Sequence, residues 1–192
     1  MATADSKTND ASKELTVVTP EFRVSFPHVF EPDAMDDKQE KKYSVAMLFP
    51  KDVNLDVLKS AARKAVETKW PDVAKRPKTL KSPFSDGDEK DYDGYKGMIV
   101  VKASSTKKPF LCDRKREQIV DEGVFYAGCY ARAQVYAHAY DMSGSRGVTF
   151  ILKMLQKTND GEAFGAGSGN PDEVFGDLPA ESGSSAADNI FA

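Results

Sequence analysis

The sequence predicts a mostly β protein of the α+β class: a small, tightly curved sheet, one amphipathic helix, and polar segments at both ends. Three observations carry this reading. Residues 125–141, FYAGCYARAQVYAHAYD, sort two by two. One set is Phe125, Ala127, Cys129, Ala131, Ala133, Val135, Ala137 and Ala139, all apolar and mostly small. The other is Tyr126, Gly128, Tyr130, Arg132, Gln134, Tyr136, His138 and Tyr140. Alternate side chains of a β-strand point to opposite faces, so such a strand has a narrow apolar side and an aromatic, cationic side. Second, four other segments show strand-like alternation or short apolar runs. Third, a single segment after residue 54 carries apolar residues at helical spacing.

In chain order, residues 1–15 are small and polar and read as a disordered arm. Residues 17–30 form the first strand, with Phe22, Val24 and Phe26 on one side and Arg23 and Ser25 on the other. Pro27 restricts its end to an edge or a bend. A charged loop precedes the second strand, residues 43–49, where Tyr43, Val45, Met47 and Phe49 share a face. Asp52 or Asn54 is placed to cap a helix that runs to about Trp70, with Leu55, Leu58, Ala62, Ala65 and Val66 on its buried side. Lys75, Arg76, Lys78 and Lys81 then lie among prolines between Trp70 and Phe84. They make either a solvated loop or a basic lip.

Residues 86–94, DGDEKDYDG, look like a calcium loop until the spacing is counted. With Glu89 at the first place the twelfth falls on Val100, where a bidentate carboxylate is needed. The segment reads as an acidic, turn-rich loop. Residues 95–105 form the third strand, and Met98, Ile99, Val100 and Val101 suggest burial on both faces. Lys107, Lys108, Arg114, Lys115 and Arg116 make the densest basic cluster, with Phe110 inside it. The period-two segment follows as a strand so long that it needs a bend, and Gly128 is the bending point. A turn at 142–147 leads to the last strand, residues 148–156.

Core signals stop near Lys157, which divides the chain into an arm (1–15), a folded domain (16–157) and a flexible acidic tail (158–192). Seven of the 30 acids and none of the 27 bases fall in the tail, so the other 157 residues carry 23 acids and a net charge of +4. No apolar run reaches the ~20 residues needed to cross a bilayer, and the first residues lack a signal-peptide apolar region, so the expected location is the cytoplasm. Buried Cys129 fits a reducing compartment.

Chemistry narrows the function classes. His28 and His138 are the only histidines, and no His/Cys spacing suits zinc. Neither a phosphate-binding G-x-x-x-x-G-K-[ST] loop nor a G-x-S-x-G nucleophile elbow occurs. No cofactor, metal or catalytic residue is expected. Tyrosines interleaved with Arg and His have the composition of a platform on which nucleobases stack. The candidate surface is Tyr126, Tyr130, Arg132, Tyr136, His138 and Tyr140, with Lys107, Lys108, Phe110, Arg114, Lys115 and Arg116 tracking phosphates. The same tyrosines would also suit packing on a neighbouring element or a homodimer contact in an assembly protein. A nuclease built on Asp86, Asp88, Asp91 or Asp93 is a further, weaker alternative.

Three stretches, YKGMIVVKASS, FYAGCYARAQVYAHAYD and RGVTFILKMLQKTNDGEAFG, resemble a family of tailed-phage single-stranded DNA-binding proteins, over roughly residues 22–165. The specific part is a Y-A-G-x-Y-x-R-x-x-x-Y run joined to a Q-K-x-x-D-G-E-x-F-G ending. The resemblance implies an OB-fold-like five-stranded barrel without catalysis that coats single-stranded DNA in phage replication or recombination, in the infected host's cytoplasm. It also implies a C-terminal tip, Asp188, Ile190 and Phe191, that recruits replication or recombination proteins. Two features depart from the pattern. The helix falls after the second strand instead of the third, so either residues 17–30 supply two strands or the helix is an insertion. Phe191 is penultimate, and the tail acids are dilute.

Overall fold

The computed structural model describes residues 13–34, 39–142 and 144–165. Among the described residues eight strands are formed: β1 (Thr16–Val18), β2 (Phe22–Asp33), β3 (Lys42–Pro50), β4 (Phe84–Asp86), β5 (Met98–Ser105), β6 (Phe110–Cys112), β7 (Tyr130–Met142) and β8 (Ser145–Asn159). The helix α1 (Asp56–Lys69) lies between β3 and β4.

Five strands close a ring. Antiparallel pairs run β7–β2, β2–β3, β3–β5 and β7–β8, and a parallel pair joins β5 to β8. Two joints are short. The β2–β7 joint is Phe22 with Ala131 and Arg23 with Tyr130, and the β5–β8 joint is Ala103 with Phe150 and Ser104 with Ile151. The remaining strands are appended: β1 to β7, β4 to β5 and β6 to β8.

The interior follows from alternation. Ala131, Ala133, Val135, Ala137 and Ala139 of β7 are all buried, and they meet Phe22, Val45, Met47, Phe49, Phe150 and Leu152 in one core. The small residues let the wall curve tightly around the larger rings from opposite strands. Helix α1 adds Leu58, Ala61, Ala62 and Ala65 to this core, lying nearest β7. Its N-cap is Leu55, which makes no side-chain cap, and not Asp52 or Asn54; Asn54, one residue earlier, accepts from the Asp56 amide through Oδ1 at 2.7 Å. It ends before Pro71, which disfavours helical geometry at the preceding residue.

Several boundaries differ from the sequence expectation. The long strand starts at Tyr130, not Phe125. Residues 122–124 form a 3-10 turn, and the chain bends sharply at Gly128, where φ is +108°. A Cβ there would lie 2.0 Å from the Glu162 carbonyl oxygen, so close backbone approach adds to the left-handed dihedral in requiring glycine. Residues 17–30 do give two strands, but β1 lies outside the ring. The helix is therefore inserted between the second and third ring strands. β5 begins at Met98, three residues late, because Tyr95 turns back to pack on the sheet. Short strands β4 and β6 carry too few residues to show a period. β8 runs to Asn159, past the boundary drawn at residue 157, because Asn159 still pairs with Tyr130.

The outer face of β3 and β5 explains the apolar run of the third strand. Ala46, Leu48 and Val100 form a second buried cluster under Tyr95, whose hydroxyl lies 3.2 Å from that of Ser25. Segment 84–97 thus covers part of the barrel's outside. The Lys51 ammonium pins it to Asp86 at 2.9 Å and Asp88 at 2.7 Å, and Asp88 accepts from the Gly97 amide at 2.6 Å. Asp86 and Asp88, considered above for a nuclease, are held in this structural clamp. Among the described residues no three His, Cys, Asp or Glu side chains converge as a metal site, and no helix is long and apolar enough to cross a membrane. Cys112 and Cys129 are free, buried thiols.

Candidate nucleic-acid interface

The β7–β8 ribbon carries its aromatic side outward, as the period-two pattern predicts. Tyr136 stands opposite Ile151, His138 opposite Thr149, and Tyr140 opposite Gly147. Opposite Gln134 and Val135 the register slips, leaving Lys153 as an extra residue in β8. Such a bulge sharpens local twist and re-aims a side chain. Here it sets the Lys153 ammonium 5.8 Å from the centre of the Tyr136 ring, a favourable cation–ring contact.

Below Tyr136 the face continues onto β6. Phe110 pairs with Met154, and both are exposed. Arg132 donates from Nε to Gln156 Oε1 at 2.8 Å, while Gln156 Nε2 donates to the Asp113 carbonyl at 2.9 Å. This chain of bonds ties β7 to the turn that holds Arg114, Lys115 and Arg116. Asp113 organises that turn by accepting from the Lys115 and Glu117 amides. Lys107 and Lys108 sit at the other end of β6.

Above Tyr136 the outer faces of β5, β8 and β7 enclose a groove of about 720 Å³, lined among others by Lys42, Lys102, Ser104, His138, Tyr140 and Ile151. Among the described residues, Lys102, Lys107, Lys108, Lys115, Arg116 and Lys153 have no ion-pair partner. The face therefore combines rings, exposed cations and few competing carboxylates.

Of the residues singled out from the sequence, the structure brings together Arg132, Tyr136, His138, Tyr140 and Phe110, with the basic turn beside them. Two tyrosines differ. Tyr126 lies before the strand, and its hydroxyl sits 2.9 Å from the Gly161 carbonyl and 3.1 Å from Asp160 Oδ1. The Lys157 ammonium covers its ring at 5.2 Å. Lys157, and then Tyr126, hold the Asp160 carboxyl below its ordinary range by hydrogen bonding. Tyr130 lies beside the Arg23 guanidinium, 5.9 Å from its ring centre. Asp188, Ile190 and Phe191 lie outside the described residues.

Sequence reasoning missed Lys42, Lys102, Ser104, Thr149, Ile151 and Lys153. A signal existed for some of them. Lys102 and Ser104 are the polar alternates at the end of an apolar strand, and Thr149 and Ile151 alternate with the core residues Val148, Phe150 and Leu152.

A five-stranded ring of this order with one parallel joint is an OB-fold-like barrel; OB-folds bind oligonucleotides and oligosaccharides on the face of their second and third strands and on flanking loops. The chain belongs to the phage family described as Enterobacter phage Enc34, ssDNA-binding protein, which matches residues 15–185. A putative protein p50 of Acyrthosiphon pisum secondary endosymbiont phage 1 is 32% identical over 166 residues, spanning 81% of this chain and 90% of its own length. Among solved structures, the bacteriophage Enc34 single-stranded DNA-binding protein in complex with single-stranded DNA superposes with a TM-score of 0.69. It is 24% identical and covers 80% of this chain and 91% of that one. The bacteriophage T7 single-stranded DNA-binding protein gp2.5 gives a TM-score of 0.58 at 15% identity, covering 90% of this chain and 98% of that one.

Proposed function

We propose that this chain binds single-stranded DNA without catalysing a reaction on it, and coats the strand during phage replication or recombination in the host cytoplasm. The observation that carries the reading is the continuous outward face of Tyr136, His138, Tyr140, Phe110 and their unpaired cations, on a chain of this family. Bases stack on the rings. Lys102, Lys107, Lys108, Arg132, Lys153 and the turn of Arg114, Lys115 and Arg116 contact phosphates. Base–ring stacks are sequence-tolerant and contribute ~1–3 kcal/mol each.

The test is polarisation titration with labelled oligo-dT, and with the matching duplex as competitor. Tyr136→Ala combined with Tyr140→Ala is expected to weaken binding at least tenfold at moderate salt, with thermal stability monitored alongside. Unchanged affinity in a folded double variant overturns the platform.

Residues 166–192 carry Asp172, Glu173, Asp177, Glu181 and Asp188 and no Lys or Arg. We propose that this acidic segment competes with DNA for the basic face, and that Ile190 and Phe191 engage a replication or recombination partner. Deleting it is expected to raise affinity at low salt. A second reading, a homodimer contact through the tyrosine face, draws support from exposed Phe110 and Met154. Sedimentation equilibrium without DNA separates the two.

A further inference from the structure

We infer that a cleft at the far end of the same outer face, built around Phe26 and Tyr92, receives an unpaired nucleobase as a second stacking station. This rests on the proposed binding of single-stranded DNA and extends it to residues outside the tyrosine ribbon.

The cleft has a volume of about 380 Å³ and is lined by Phe26, Pro27, His28, Tyr92, Asp93 and Phe164, among others. That volume falls within the ~300–1,000 Å³ of small-ligand pockets. Phe26 and Tyr92 are 48% and 56% exposed, yet their rings pack edge to face at 5.2 Å. Phe26 has a φ of +44°, a dihedral that a bulky L residue adopts only when the surroundings impose it. Its cause is a bulge. Ser25 pairs with Ala46 and His28 with Ser44, so Phe26 and Pro27 together stand opposite one residue of β3. The ring meets buried Tyr95 edge to face at 6.4 Å on one side and leaves about half of its surface open to the cleft. Strain of this kind concentrates at ligand-binding positions.

The opposite wall is rigid. Arg23 donates to the Gly128 carbonyl at 3.2 Å and to the Glu162 carbonyl at 2.7 Å, and its guanidinium lies 4.2 Å from the Phe164 ring centre. Those two hydrogen bonds tie Arg23 to the wall. Asp93 is the carboxylate at the cleft and repels a phosphate, so the occupant is the base and not the backbone. Continuity with the groove is direct. His28 of the cleft pairs with Ser44, and Ser44 pairs with Ser104, a lining residue of the groove. One strand of DNA crossing the barrel meets both.

The test uses the full-length protein. Oligo-dT carrying a single 5-iodouracil at successive positions is irradiated on the protein, and crosslinked peptides are mapped. In parallel, dT oligomers from about 4 to 20 nucleotides, spanning the ~4–16 nucleotide range of OB-fold sites, are titrated against the wild type, Phe26→Ala and Tyr92→Ala. Crosslinks at Phe26 or Tyr92, together with at least a fivefold loss on long oligomers in Tyr92→Ala and none on the shortest that bind, uphold the cleft. Absence of either result overturns it. If the wild type binds no oligomer of any length, the DNA-binding reading itself has failed. If it binds normally and only the cleft residues are silent, the ribbon alone is the site.

Discussion

At the scale of single residues, two tyrosines of nearly identical sequence context do different work. Tyr136 lies half-buried on the outward side of β7 with the Lys153 ammonium over its ring, whereas Tyr126 anchors the chain after β8 through its hydroxyl. Tyr126→Phe is therefore expected to lower stability by about 1 kcal/mol, the net worth of an ordinary hydrogen bond, as read by urea denaturation. Gly128→Ala should cost more. Its positive φ alone is unfavourable by ~1–2 kcal/mol for an L residue, and the new Cβ would collide with backbone at residue 162. A drop in melting temperature of several degrees is expected, and an unchanged value would contradict the close approach described here.

At the scale of elements, segment 84–97 is held by charge. Hydrogen bonding from Lys51 keeps the Asp86 carboxyl below its ordinary range, and the Gly97 amide followed by Lys51 does the same for Asp88. A carboxylate whose folded pKa lies below its unfolded value of about 3.9 stabilises the fold above that value. The contribution disappears as pH falls through the folded pKa. Acidification below about pH 4 should thus weaken this clamp, a change followed in the Gly97 amide resonance and abolished by Asp88→Asn.

Elements also show what was legible in the sequence. The faces of β7 could be read because five small apolar residues alternate with polar ones without a break. Its start could not be read, since Phe125, Ala127 and Cys129 keep the apolar phase while the backbone leaves the strand. Phe125 and Cys129 are buried from a turn, and burial alone does not distinguish a strand from a packed loop. Strands β4 and β6 have three residues each, too short for periodicity. The cleft at Phe26 was hidden because Phe26 keeps the apolar phase of Phe22 and Val24, and only the bulge turns it outward.

At the scale of the molecule, the candidate interface spans β5, β6, β7 and β8, elements far apart in sequence. Only the tyrosines and the basic cluster on it have a local signature. Lys102 and Lys153 gain their meaning from the ring that sets them beside β7. Each phosphate contact on a single strand contributes about 0.7 to the slope of log affinity against log salt. Lys102→Ala and Lys153→Ala should each flatten that slope by roughly this amount, equally for oligo-dT and mixed sequences. A loss confined to one base composition would instead assign these lysines to base contacts.

The β2–β7 joint has a consequence for how the molecule is made. Its partners, Phe22 and Ala131, lie on opposite sides of most of the body's sequence, and β8 follows later still. While translation proceeds, the early strands have no wall to lean on, and their apolar sides wait for the alanine-rich strand to emerge. Assembly dominated by such distant pairings runs in milliseconds to seconds. Stopped-flow refolding should accordingly give a slow principal phase, and a nascent chain halted before β7 should remain sensitive to protease.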